Sequence, residues 1–77
     1  MKVRVELQAY LEKFSPNGAP RFELELPDGA TVDRLLRELA IPDDETQVII
    51  VNNESVDFER RLQDGDEIIL IPPLAGG

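Results

Sequence analysis

The chain has 77 residues and contains neither cysteine nor histidine. Zinc sites and triads built on those side chains are therefore out of reach, and so are disulfides. The remaining titratable clusters are Asp43-Asp44-Glu45 and Asp64-Gly65-Asp66. Neither has the ligand spacing of a calcium loop, and both fall in turn sequences, where Asp satisfies backbone amides. No metal and no bound cofactor is expected of this chain. Arg60-Arg61 reads as a solvated pair rather than a phosphate site. What remains is backbone chemistry at the end Ile71-Pro72-Pro73-Leu74-Ala75-Gly76-Gly77. At ordinary glycine usage, two terminal glycines arise by chance in roughly one chain in 200. Gly76 and Gly77 have no side chains, so their backbone could enter a narrow channel and approach reactive groups. The Gly77 carboxylate, with a reference pKa of about 3.5, is ionised at neutral pH. An ionised carboxylate is a poor electrophile and must be activated before acyl transfer. The chain has no glycine-rich phosphate loop, so ATP would be used by an activating partner.

The elements that would position this tail can be read from periodicity. Val3, Val5, Leu7 and Ala9 alternate with Lys2, Arg4, Glu6 and Gln8, which predicts a half-buried strand over 2–9. Ser15-Pro16-Asn17-Gly18 is a turn. Phe22, Leu24 and Leu26 then alternate with Arg21, Glu23 and Glu25, predicting a second strand in an antiparallel hairpin with the first. After Pro27-Asp28-Gly29, Thr31 is a candidate helix N-cap, with Asp33 in the favourable first turn. Val32, Leu35, Leu36 and Leu39 form one apolar stripe. Pro42 cannot continue a helix, so the helix should stop near Ala40.

Val48-Ile49-Ile50-Val51 predicts a central strand. Asn52-Asn53 favours a tight turn with positive φ, and 54–56 a short return strand. Asp64-Gly65-Asp66 is a further turn, and 67–71 the last strand, closed by Pro72-Pro73. The order strand, strand, helix, strand, short strand, strand gives an α+β domain: one mixed sheet with a single main helix packed on one face. This is the β-grasp, or ubiquitin-like, layout. Strands one and five should lie side by side in the middle of the sheet. The domain is expected to cover 1–72, with 73–77 a flexible C-terminal Gly-Gly tail that Pro72-Pro73 pushes off the sheet.

Composition narrows the partners. The net charge of −8 repels polyanions, so neither nucleic acid nor an anionic membrane surface is expected. It suits a basic protein partner. No apolar run reaches the ~18 residues of a membrane span, and no signal-peptide pattern precedes the first strand. A cytoplasmic protein is the expectation. So small a chain has little room for a deep catalytic pocket.

These residues carry a resemblance. Val51-Asn52-Asn53-Glu54, Leu62-Gln63-Asp64-Gly65-Asp66-Glu67 and the Pro-Pro-x-x-Gly-Gly ending resemble the MoaD/ThiS family of sulfur carriers, as does Pro27 to Val32 ahead of the helix. The resemblance spans essentially the whole chain, and its ending is the most specific part. It departs mildly from the pattern at Ile71, where an aromatic residue is frequent, and at Asn53, where glycine is common. The resemblance implies a protein that is no enzyme by itself. An E1-like enzyme of the MoeB/ThiF type would adenylate Gly77, and a sulfur donor protein would convert it to a thiocarboxylate. In the MoaD-like branch, which the Pro-Pro pair favours, the tail enters a MoaE-like large subunit of molybdopterin synthase and supplies sulfur for the molybdenum cofactor. Alternatives are a ThiS-like carrier for the thiamine thiazole, a carrier for tungsten cofactor or tRNA thiolation, a ubiquitin-like protein modifier, or a non-catalytic binding module.

Strand five adds a second surface. One helix covers one face of a sheet, yet this strand is apolar on both. Glu67 shares a face with Ile69 and Ile71, which places that face toward solvent and Ile68 and Leu70 in the core. Ile69 and Ile71 are therefore candidate partner-binding residues, together with Pro72, Pro73, Leu74 and Ala75, while Gly76 and Gly77 carry the chemistry.

Overall fold

A computed structural model describes residues 1–46 and 48–73. The expected tail residues Leu74, Ala75, Gly76 and Gly77 lie outside the described residues. The strands are β1 (Lys2–Leu7), β2 (Arg21–Glu25), β3 (Val48–Val51), β4 (Glu54–Val56) and β5 (Glu67–Ile71), and the α-helix is α1 (Val32–Glu38). They form one sheet in the order β2-β1-β5-β3-β4. β1 pairs antiparallel with β2 and parallel with β5, while β3 pairs antiparallel with both β5 and β4. β2 and β3 thus run in the same direction on either side of the central pair. Joining two strands that run the same way requires a crossover, and α1 supplies it across one face. This is the expected α+β, ubiquitin-like β-grasp, with strands one and five adjacent in the middle.

The core lies between α1 and that face. Val3, Val5 and Leu7 of β1, Ile68 and Leu70 of β5, and Ile49 and Val51 of β3 point into it. The stripe Val32, Leu35, Leu36 and Leu39 meets them from the helix. Burying each such side chain contributes on the order of 1.5–3 kcal/mol, which outweighs the small helix propensity of a seven-residue segment. Thr31 caps the helix, its hydroxyl accepting from the Arg34 amide at 3.3 Å. No helix among the described residues is long and apolar enough to cross a membrane.

Two boundaries differ from the sequence expectation. β1 ends at Leu7 and not at Ala9. The Gln8 amide still donates to the Leu70 carbonyl at 3.1 Å, but Ala9 then turns left-handed, with φ of 52°. Ala9 is exposed, and a 3₁₀ segment, Ala9–Phe14, follows with Leu11 fully buried. Alternation in the first strand gave no sign of this turn. The helix stops two residues short of Ala40. Ile41 donates its amide to Leu36 and Ala40 to Arg37, at 2.9 and 3.1 Å, with Ala40 at φ of 57°. That bonding pattern is a Schellman C-cap.

Candidate functional site

The last strand carries the tail, so the site is built outward from β5. Its side chains alternate: Ile68 and Leu70 are buried under α1, whereas Ile69 and Ile71 are half-buried on the face without the helix. The antiparallel register sets Ile69 opposite Ile50 and Ile71 opposite Val48. All four therefore share the helix-free face and form an apolar strip that ends where the chain leaves the sheet. Each of the four is half-buried there. Val48 and Ile50 were missed as site residues in the sequence. Their alternation with Ile49 and Val51 was a usable signal, but only once the β3–β5 pairing was fixed.

Beside the strip, the same face carries a ladder of charge on β1 and β2. Arg21 meets Glu6 at 3.0 Å. Arg4 lies between Glu23 and Glu67, at 3.8 and 3.6 Å, and Lys2 reaches Glu23 at 3.9 Å. Arg4, Glu6, Arg21, Glu23, Glu67 and Ile69 line a broad groove of about 570 Å³. Hydrogen bonds from Gln8 and from Arg21, with the charge of Arg21 adding to them, hold the Glu6 carboxyl below its usual range against a smaller opposing effect of burial. The groove is open and its charges are paired with one another, so it suits contact with a protein surface rather than enclosure of a small molecule.

At the strip's end Pro72 is fully buried and Pro73 half-buried. Sequence reading grouped Pro72 with the residues offered to a partner. Its ring is instead part of the domain's packing, so it anchors the start of the tail, and Pro73 is the last described residue. Leu74, Ala75, Gly76 and Gly77 lie beyond the described residues.

The acidic turns have structural employment. Asp64 accepts from the Lys2 amide at 2.8 Å. Buried Asp66 accepts from the Gln63 amide and from the Asn52 side-chain amide, each at 2.8 Å. Asn52 in turn accepts from the Glu67 amide at 3.0 Å. This network joins the two turns at the end of β5 remote from the tail. Asn52 and Asn53 both adopt positive φ, 51° and 72°, as the tight β3–β4 turn requires. Among the described residues no group of three or more metal-type side chains comes together. Arg60 is occupied by Glu54 at 3.9 Å and by the Arg61 carbonyl at 3.3 Å.

Comparison with known proteins agrees with this fold. Compared with curated protein sequences, the chain has no significant match. Among solved structures it is similar to a Pyrococcus furiosus protein described as molybdopterin converting factor subunit 1, with 30% identity and a TM-score of 0.75, over 95% of this chain and 98% of that one. It also shares its fold with SAMP1 from Haloferax volcanii, with 22% identity and a TM-score of 0.78 over the full length of both chains. The Amycolatopsis orientalis BexX/CysO complex contains a further similar chain, 24% identical with a TM-score of 0.69, covering 97% of this chain and 99% of that one. The sequence model of the ThiS family matches residues 5–77. With the fold and that match in agreement, this chain belongs to the ThiS family, the MoaD/ThiS-type ubiquitin-like carriers and modifiers.

Proposed function

We propose that Gly77 is the reactive end of this protein and carries sulfur as a C-terminal thiocarboxylate. An E1-like enzyme of the MoeB/ThiF type, using ATP, adenylates the Gly77 carboxylate. Sulfide-level sulfur from a sulfur donor protein then attacks the Gly77 carbonyl carbon, the carbon–phosphate oxygen bond breaks, AMP leaves, and the thiocarboxylate remains. The recipient is a MoaE-like large subunit, so that the two chains together form a molybdopterin synthase. The observation that carries this reading is the strip Val48, Ile50, Ile69 and Ile71, which runs along β3 and β5 to the point where buried Pro72 hands the chain to Pro73. A partner seated on the strip lies directly beside the emerging tail. Held there, the reactive carbonyl is delivered at high effective concentration. The 30% identity to the Pyrococcus furiosus subunit and the Pro72-Pro73 pair support the molybdopterin branch over the thiamine one.

The domain's own side chains bind and aim in this scheme, while the bond-making groups belong to the partners. The test is reconstitution. Thiocarboxylated protein mixed with the large subunit and the pterin precursor should yield the dithiolene product, with the large subunit alone giving none. Transfer to a thiazole precursor instead would move the protein to the ThiS-like branch, and transfer to neither would refute the molybdopterin assignment.

A further inference from the structure

The asparagines of this chain are Asn17, Asn52 and Asn53, and only Asn17 is followed by glycine. Asn17-Gly18 lies exposed in the loop between the 3₁₀ segment and β2. Gly18 has a φ of 78°, and nothing beyond its chain neighbours lies within 4 Å of where a Cβ would stand. Its nitrogen is therefore not screened by a side chain of its own or of another residue. Neither the Gly18 amide nor Asn17 Nδ2 makes a hydrogen bond among the described residues.

The Asn17 side-chain carbonyl, in contrast, is held from two sides. Its Oδ1 accepts from the Ala19 amide at 2.9 Å and from the Ser15 hydroxyl at 2.9 Å. The Ala19 N–H can only donate, so the atom facing it is the oxygen of the side-chain amide and not its nitrogen. The Ser15 hydroxyl is itself oriented, because it accepts from the Asn17 backbone amide at 3.4 Å. Two donors on one carbonyl oxygen draw electron density from Cγ. They also stand where negative charge would develop if Cγ were attacked, which is the arrangement of an oxyanion hole. The other candidate positions each lack a part. Asn52 Oδ1 accepts from the Glu67 amide at 3.0 Å, but its Nδ2 donates to Asp66 at 2.8 Å and the next residue, Asn53, carries a side chain. Asn53 precedes Glu54. Asp28 and Asp64 precede glycines, but each offers a carboxyl group in place of an amide, and the Gly65 amide is committed to the Lys2 carbonyl at 2.8 Å.

We infer that Asn17 is a site of spontaneous modification, converted through a cyclic imide to aspartate and isoaspartate by the loop that holds it. The Gly18 nitrogen gives its proton to solvent base and attacks Asn17 Cγ. A C–N bond forms and closes a ring, the Cγ–Nδ2 bond breaks, and ammonia leaves with a proton from solvent. Water then adds to one of the two imide carbonyls and reopens the ring. Opening on one side leaves an ordinary aspartate. Opening on the other leaves an isoaspartyl link, in which the backbone runs through the former side chain and gains a methylene. Either product adds a carboxylate to a chain whose net charge is already −8. It does so in a loop that is tied to β1 through the Pro20 carbonyl, which accepts from the Leu7 amide at 2.8 Å.

The experiment holds the full chain at neutral pH, once folded and once in concentrated urea, and follows its tryptic peptides by mass over time. Asn17 falls in the peptide Phe14–Arg21. Exchange of the side-chain amino group for a hydroxyl marks both products, and an isoaspartyl methyltransferase labels the isoaspartyl one. The expected result is conversion at Asn17 ahead of Asn52 and Asn53, and faster in the folded chain than in urea. Ser15→Ala should slow the folded chain about 2- to 10-fold, the effect of losing one neutral hydrogen bond, and leave the rate in urea unchanged. Ser15→Thr keeps the hydroxyl and should keep the folded rate. A folded chain that converts no faster than the unfolded one overturns the proposal. So does a folded Ser15→Ala rate equal to that of the unaltered chain, a Ser15→Thr rate as slow as Ser15→Ala, or a first conversion at Asn52 or Asn53.

Discussion

Ile69 of β5 lies opposite Ile50 of β3 on the sheet face that α1 leaves open, both half-buried, with the half-buried pair Ile71 and Val48 beside them. The helix-side neighbours in the same two strands, Ile68 and Val51, are opposed in the same register and fully buried. One pair of strands thus presents two surfaces, one packed in the core and one proposed for docking.

Replacing Ile50 or Ile71 by Asp should therefore separate binding from folding. A charge in the centre of an apolar contact removes an anchor worth about 2 kcal/mol or more, a loss of roughly thirtyfold in affinity for the proposed large-subunit partner. The domain should remain folded, because these side chains contribute to the exposed face. Affinity by calorimetry beside a thermal melt makes the comparison, and unchanged affinity would place docking elsewhere.

The helix side should behave in the opposite way. Leu36 is 1% exposed, and Leu36→Ala should lower stability by about 2–5 kcal/mol, through lost burial and a residual cavity. For a domain of this size that approaches the whole of its net stability. Denaturant titration would show the midpoint collapse, whereas removal of Gly76 and Gly77 should leave it in place.

Ala40 occupies the left-handed position of a Schellman cap, φ 57°, where glycine is free of the Cβ penalty. Ala40→Gly is expected to stabilise the domain by roughly 0.5–1 kcal/mol, seen as a raised denaturation midpoint. A loss of stability would mean that unfolded-chain entropy dominates at this position.

Glu6 supplies a pH signature. Its folded-state pKa is lowered from 4.5 by the hydrogen bonds from Gln8 and Arg21. A carboxyl with a depressed folded pKa contributes stability above its unfolded pKa and loses it as pH falls through the folded value. Stability should fall with acidification below about pH 4.5, and Glu6→Gln should flatten that part of the profile. Near neutral pH the substitution should cost no more than about 0.2–1 kcal/mol, since the Arg21 partner is largely solvated. An unaltered acid limb in the Glu6→Gln protein would assign the acid sensitivity to other carboxylates.

Much of this architecture was legible from side-chain period alone. Val3, Val5 and Leu7 alternate as a strand must, and Val32, Leu35, Leu36 and Leu39 recur as a helix must, because burial on one side enforces each pattern. The split of β5 into Ile68 and Leu70 against Ile69 and Ile71 followed from Glu67 alone. Ala9 and Ala40 were illegible for a physical reason. Neither residue type prefers positive φ, and it is the surrounding hydrogen bonds, Gln8 to Leu70 and Ile41 to Leu36, that hold them there. Burial of Pro72 was hidden likewise, since a Pro-Pro pair reads as an exit from a strand and carries no sign of which ring packs inward. Val48 and Ile50 joined the site only through long-range pairing, which no local window contains.

The central claim is that Gly77 carries the chemistry, and it is tested most directly by the intact mass of the protein purified from its native cell. The account predicts two populations, one ending in the ordinary carboxylate of Gly77 and one in which a single carboxylate oxygen is replaced by sulfur. The sulfur-bearing population should disappear when the adenylating enzyme is deleted. A single population of unmodified mass in cells actively making the cofactor, or a chain that continues beyond Gly77, would contradict it.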